Sequence, residues 1–143
     1  MIVNHVGLCV RDIEVSQRFY EALGFTEALD MTVPDEPLHT LLRVPPPLGL
    51  RAVYLTNGPF VLELLEYSDA EVSTPTERTM TEVGLTHLSI GVDDLAAAKE
   101  GVASNGGEVL DDSDVGMAVM VRDPDGQLLE LLDVRFRPVT PDT

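Results

Sequence analysis

The sequence predicts an α+β fold made of two tandem copies of one strand–helix–strands module, and three observations carry that prediction. Asn4-His5-Val6-Gly7-Leu8-Cys9-Val10-Arg11-Asp12-Ile13 recurs as Thr86-His87-Leu88-Ser89-Ile90-Gly91-Val92-Asp93-Asp94-Leu95, and Gly24 and Gly106 keep the offset between His5 and His87. Val61-Leu62-Glu63-Leu64-Leu65-Glu66 recurs as Leu128-Leu129-Glu130-Leu131-Leu132-Asp133. Self-similarity of this kind marks repeated structural units. Each copy also places a His and a Glu in apolar strand patterns, where a desolvated carboxylate needs a partner.

Taken in order, Val3 to Val10 alternates, putting His5, Gly7 and Cys9 on one face and Val6, Leu8 and Val10 on the other. The second copy separates His87, Ser89 and Gly91 from Leu88, Ile90 and Val92 in the same way. A short helix follows each strand, with Asp12 or Asp94 as N-cap and Val15, Phe19 and Leu23, or Leu95, Ala98 and Val102, spaced for one buried face. Gly24 and Gly106 suit the helix exits. Strands are expected at Leu50 to Thr56, Val61 to Tyr67, Met117 to Arg122 and Leu128 to Val134, joined by turns at Asn57-Gly58-Pro59 and Asp123-Pro124-Asp125-Gly126. The first half is longer between its His and Glu, and Pro45-Pro46-Pro47 excludes a central strand there, so Asp30 to Gly49 reads as a partly irregular loop. The expected organisation is a first module over 1–67, a polar linker over 68–83, a second module over 84–137 and a C-terminal tail over 138–143.

A chain of 143 residues with 44% hydrophobic and 24% charged residues can bury a core as an ordinary globular protein. No run approaches the length of a membrane span, and the strand pattern at Ile2 leaves no room for a secretory signal, so a soluble, cytoplasmic protein is expected. Cys9 is the only cysteine, which excludes cysteine-rich zinc patterns. The net charge of −16, from 25 acidic against 9 basic residues, argues against nucleic acid or an anionic membrane as partner. A metal here must use His and carboxylate.

Within Val61 to Tyr67, Glu63 and Glu66 fall on opposite faces, so only one can share a site with His5. The repeat favours Glu63, which aligns with Glu130, while Glu66 aligns with Asp133; a bulge would favour Glu66. Two imidazoles and two carboxylates suit one divalent ion, Ni, Co, Zn, Mn or Fe, with positions left for substrate. Such an ion polarises a substrate carbonyl and favours removal of the neighbouring proton by a base such as a loosely held Glu.

The motifs Asn4-His5-Val6-Gly7-Leu8-Cys9-Val10-Arg11-Asp12, Arg18-Phe19-Tyr20-Glu21-Ala22-Leu23-Gly24-Phe25, Thr86-His87-Leu88-Ser89-Ile90-Gly91-Val92-Asp93-Asp94 and Asp123-Pro124-Asp125-Gly126-Gln127-Leu128-Leu129-Glu130 resemble the vicinal oxygen chelate superfamily. That superfamily includes glyoxalase I, methylmalonyl-CoA epimerase, extradiol dioxygenases and fosfomycin and bleomycin resistance proteins. The resemblance implies two βαβββ modules whose curved mixed sheets form a cup, with His5, Glu63, His87 and Glu130 as metal ligands, often in a homodimer. It further implies that Glu130 doubles as catalytic base, with Glu63 the other catalytic carboxylate. Two His and two Glu look most like bacterial glyoxalase I, whereas the epimerase usually has Gln at the Glu63 place. Cys9 stands where glyoxalase I commonly has an Arg for glutathione, which points away from that cosubstrate. The implied activity is proton transfer through an enolate of a small oxygenated substrate, as lyase, isomerase or epimerase; the alternatives are an Fe(II) dioxygenase and a non-catalytic binding protein.

The remaining polar residues have plainer expectations. Cys9 is expected as a small buried space-filler and His39 as an exposed loop residue. Tyr67 either touches substrate or plugs the cup. Arg43, Arg51 and Arg122 are expected to be solvated, and Asp111-Asp112-Ser113-Asp114 to form a solvated turn.

Overall fold

The computed structural model describes residues 1–140 and divides into two compact units, the first Met1–Thr74 and the second from Pro75 onward. The first unit runs β1 (Val6–Cys9), α1 (Ile13–Ala22), β2 (Thr26–Val33), α2 (Asp35–Leu42), β3 (Leu50–Asn57) and β4 (Phe60–Tyr67). The second runs β5 (Leu88–Val92), α3 (Leu95–Ser104), β6 (Glu108–Val109), β7 (Ala118–Arg122) and β8 (Leu128–Asp133). Each unit is a four-stranded mixed sheet, ordered β1-β4-β3-β2 in the first and β5-β8-β7-β6 in the second. The first and last strands of each unit pair in parallel, and the other neighbours are antiparallel. These are two tandem βαβββ modules, the first with an extra helix. Residues 138–140 form no helix or strand, and the rest of the expected 138–143 tail lies outside the described residues.

The helix signals act as their chemistry requires. Asp12 Oδ1 accepts from the backbone N–H groups of Glu14 and Val15 at 3.0 and 3.1 Å, and Asp94 Oδ1 accepts from Ala97 N–H at 3.0 Å. Just past the helices, Gly24 (φ 90°) and Gly106 (φ 84°) take the left-handed backbone that ends a helix without a Cβ penalty. The buried face of α1 is Ile13, Ser16, Phe19 and Tyr20, continued by Leu23, whereas Val15 is only half-buried. The expected stripe was thus rotated by about one residue. The core of the first unit adds Val53 and Leu55 from β3 and Leu62 and Leu64 from β4, all fully buried. In the second unit Val102 meets the same role with Val119, Val121, Leu129 and Leu131.

Six expectations need correcting. Asp30 to Gly49 is largely ordered: its start belongs to β2, paired along its length with β3, and Asp35–Leu42 is a helix kinked at Glu36. His39 therefore sits on a helix, with Nε2 2.6 Å from Glu36 Oε1. Cys9 is exposed, not buried. Arg51 is not simply solvated, because it grips Asp30 through Nε and Nη2 at 3.0 and 2.7 Å and meets Glu14 at 2.6 Å. Arg122 likewise pairs with Glu77 at 2.9 Å, tying the start of the second unit to β7. The first strand of each unit is also shorter than its alternation suggests, so His5 and His87 stand immediately before β1 and β5.

After β8, Asp133 accepts from Arg135 Nε and backbone N–H at 2.9 and 3.0 Å and from Nη2 at 2.5 Å. These bonds hold its carboxyl well below the ordinary 3.8, at about 2. A carboxylate depressed in the folded state contributes stability that is complete above its unfolded value and is lost as pH falls through the folded one. Arg135→Ala should raise the Asp133 titration toward 3.8, followed by carboxyl carbon NMR. The gap in urea midpoint between wild type and variant should be open at pH 5 and close as pH falls toward 2; a gap independent of pH would remove the linkage.

Candidate functional site

The two units build their candidate donors by the same register. In the first, Gly7 pairs with Glu63 across β1 and β4, so His5, two residues earlier, shares the face of Glu63. In the second, Ser89 pairs with Glu130 across β5 and β8, and His87 again stands two residues earlier. The structure brings His5 and Glu63 together, with Nε2 3.1 Å from Oε2 and side chains 34% and 14% exposed. His5 Nδ1 lies 2.6 Å from Asn4 Oδ1, so the imidazole is held between the Asn4 side chain and the Glu63 carboxylate. His87 Nδ1 is 2.9 Å from Thr86 Oγ1, which leaves its Nε2 likewise uncommitted to the neighbour.

Glu66 takes the other face, accepting from Ile13 N–H through Oε2 at 2.7 Å at the start of α1. Its carboxylate serves a helix N-terminus, where orphan donors and the helix dipole favour negative charge. No bulge interrupts β4 against β1 or β3, so the register that would have favoured Glu66 is absent. Asp133, at the matching place in β8, is also on the buried side, 7% exposed.

Two side chains around the carboxylates escaped the sequence reading. Tyr54, opposite Glu63 across β3 and β4, donates its hydroxyl to Glu63 Oε1 at 2.5 Å and sets its ring edge-on to His5 with centroids 5.7 Å apart. That bond, then burial and the Glu63 charge, push the phenol up to about 12. Ser89 donates its hydroxyl to Glu130 Oε1 at 2.6 Å. At the place of Ser89 the first unit has Gly7, where a Cβ would stand 3.5 Å from Glu63 Oε2. Tyr67 is half-buried on the same face, its hydroxyl raised by burial and then by the proximity of Cys9 and Glu63. Among the described residues, no three His, Cys, Asp or Glu side chains form a cluster that could hold an ion. One pair of donors is what each unit's sequence offers, and the first unit's pair suits one side of a metal site by its chemistry: an imidazole nitrogen and a carboxylate oxygen 3.1 Å apart.

The Glyoxalase/Bleomycin resistance protein/Dioxygenase superfamily profile matches residues 2–131. The chain belongs to this superfamily. Solved structures agree in fold. A glyoxalase family protein from Bacillus cereus aligns over 92% of each chain with TM-score 0.80 at 14% identity. The trypanothione-dependent glyoxalase I of Leishmania major covers 92% of this chain and 85% of its own with TM-score 0.65 at 24% identity. Fosfomycin resistance protein FosX from Mesorhizobium loti covers 92% of each chain with TM-score 0.65 at 19% identity. No curated protein matches the sequence. Among the described residues no helix is long and apolar enough to cross a membrane.

Proposed function

We propose that this superfamily member is a divalent-metal-dependent enzyme that chelates a small oxygenated substrate and moves a proton at the carbon beside its carbonyl, as a lyase, isomerase or epimerase. The observation that carries the reading is the approach of His5 Nε2 to Glu63 Oε2 at 3.1 Å, on a register that the second unit repeats for His87 and Glu130. His5, Glu63, His87 and Glu130 would hold the ion. When bound, a divalent ion polarises the substrate carbonyl and stabilises the negative charge that develops as the proton leaves. Asn4 holds the His5 ring through Nδ1, Glu66 is kept out of the site by its bond to α1, and Glu130, which accepts the Ser89 hydroxyl at Oε1, takes up the proton.

The test couples elemental analysis to isotope exchange. Protein purified without added metal, then loaded with Co²⁺, Ni²⁺, Zn²⁺, Mn²⁺ or anaerobic Fe²⁺ and desalted, is expected to retain roughly one ion per chain. NMR should then show solvent deuterium entering the carbon beside the carbonyl across a panel of α-oxygenated aldehydes, ketones and thioesters, with loss of exchange in Glu130→Gln. Oxygen consumption with diols on Fe²⁺, without exchange, would instead give the dioxygenase. A chain that retains no ion after loading would overturn the enzyme reading in favour of a sequestering cup.

A further inference from the structure

The repeat makes the two candidate carboxylates equivalent in backbone register, yet their surroundings differ in a way that the repeat does not require. Opposite Glu63 on the neighbouring antiparallel strand stands Tyr54; opposite Glu130 stands Met120. A phenol donates a strong hydrogen bond to a carboxylate, whereas a thioether has no proton to donate. On the parallel side the asymmetry reverses, with Gly7 beside Glu63 and Ser89 beside Glu130. The two supports are not of equal quality. Tyr54 is a rigid side chain, part-buried, and fixed by edge contact with His5. Ser89 is exposed, so water competes for both its hydroxyl and the carboxylate.

We propose that Tyr54 is a positioning residue that locks Glu63, its phenol holding Oε1 so that Oε2 is kept toward His5 Nε2, where the pair would hold the ion. This rests on the metal-enzyme reading above. Both Glu63 oxygens are spoken for, Oε1 at 2.5 Å from Tyr54 and Oε2 at 3.1 Å from His5, and rotation of the carboxylate would break the phenol bond. A carboxylate held this way would meet an ion without first being reoriented.

Co²⁺ titration of the full chain tests this, with affinity read by competition with a chromophoric chelator and coordination read from the visible ligand-field spectrum. Tyr54→Phe keeps the ring against His5 and removes only the hydroxyl. It is expected to weaken Co²⁺ binding about 10- to 100-fold and to alter the spectrum, as loss of an outer-shell partner does. Tyr54→Met, which copies the rung opposite Glu130, should do the same and serves if the Phe variant does not fold. In a Glu63→Ala background, Tyr54→Phe should add no more than about twofold, because the lock acts only through Glu63. Wild-type affinity and spectrum in Tyr54→Phe would overturn the lock, as would an undiminished loss in the Glu63→Ala background. If the wild-type chain takes up no Co²⁺, the metal reading falls and the lock falls with it. If it binds and Tyr54→Phe is silent, only the lock falls.

Discussion

His5→Ala and Glu63→Ala are each expected to weaken Co²⁺ binding by at least about 100-fold, more than the loss of an outer-shell partner, while Glu66→Gln leaves affinity within about twofold. The contrast follows from β4. Glu63 and Glu66 are three residues apart on a regular strand, so one carboxylate lies on the face of His5 and the other on the face of α1. Glu66→Gln should register elsewhere. Its carboxylate accepts from Ile13 N–H beside the first turn of α1, and exchanging it for a neutral amide removes a charge-assisted bond and a favourable interaction with the helix dipole. A loss of about 1–2 kcal/mol in urea unfolding is expected, with metal affinity intact. The reverse pattern, in which Glu66→Gln loses metal and Glu63→Ala keeps it, would show that the strand faces have been assigned the wrong way round.

Which parts of this architecture the sequence discloses depends on how local their causes are. The repeat around His5 and His87 was legible because it is written in residue identity, and the N-caps at Asp12 and Asp94 because a capping carboxylate acts within three residues. That Glu63 and not Glu66 shares the face of His5 was legible from parity and the repeat together. β2 was not. It is an edge strand whose residues Thr26 to Thr32 are all exposed, so burial imposes no alternation on them, and its pairing with β3 shifts between Glu27 and Leu29. α2 hid for another reason: its cap position is Pro34, which has no side-chain oxygen to offer, and Pro37 lies within it. Arg51 looked like a solvated cation because Asp30 and Glu14, which hold it, are distant in sequence. Tyr54 could have been found. A two-residue loop between Asn57 and Phe60 fixes the register of the hairpin, and counting back three rungs puts Tyr54 opposite Glu63.

The largest effect on stability is expected at Phe19. Phe19→Ala should cost about 3–5 kcal/mol, the range for truncating a buried aromatic, whereas Val15→Ala should cost about 1 kcal/mol or less. Simple spacing puts both residues on one helical stripe, but the structure separates them. Phe19 is fully buried, with its ring edge-on to Tyr20 at a centroid distance of 5.1 Å, and Tyr20 in turn meets Phe25 at 5.7 Å. Truncation would open a cavity beneath α1 that its packed neighbours can close only in part. Val15 is half-buried and leaves solvent to fill the space. Ser16, a small polar residue, is fully buried on the face that Ile13 and Phe19 form. Ile13, on the same buried face, donates its backbone N–H to Glu66, whose carboxylate lies on the helix side of β4. Urea midpoints of the two alanine variants, measured on the full chain, decide the matter: equal losses would mean that the helix turns Val15 inward as spacing suggests, and with it would go the packing argument that keeps Glu66 away from His5.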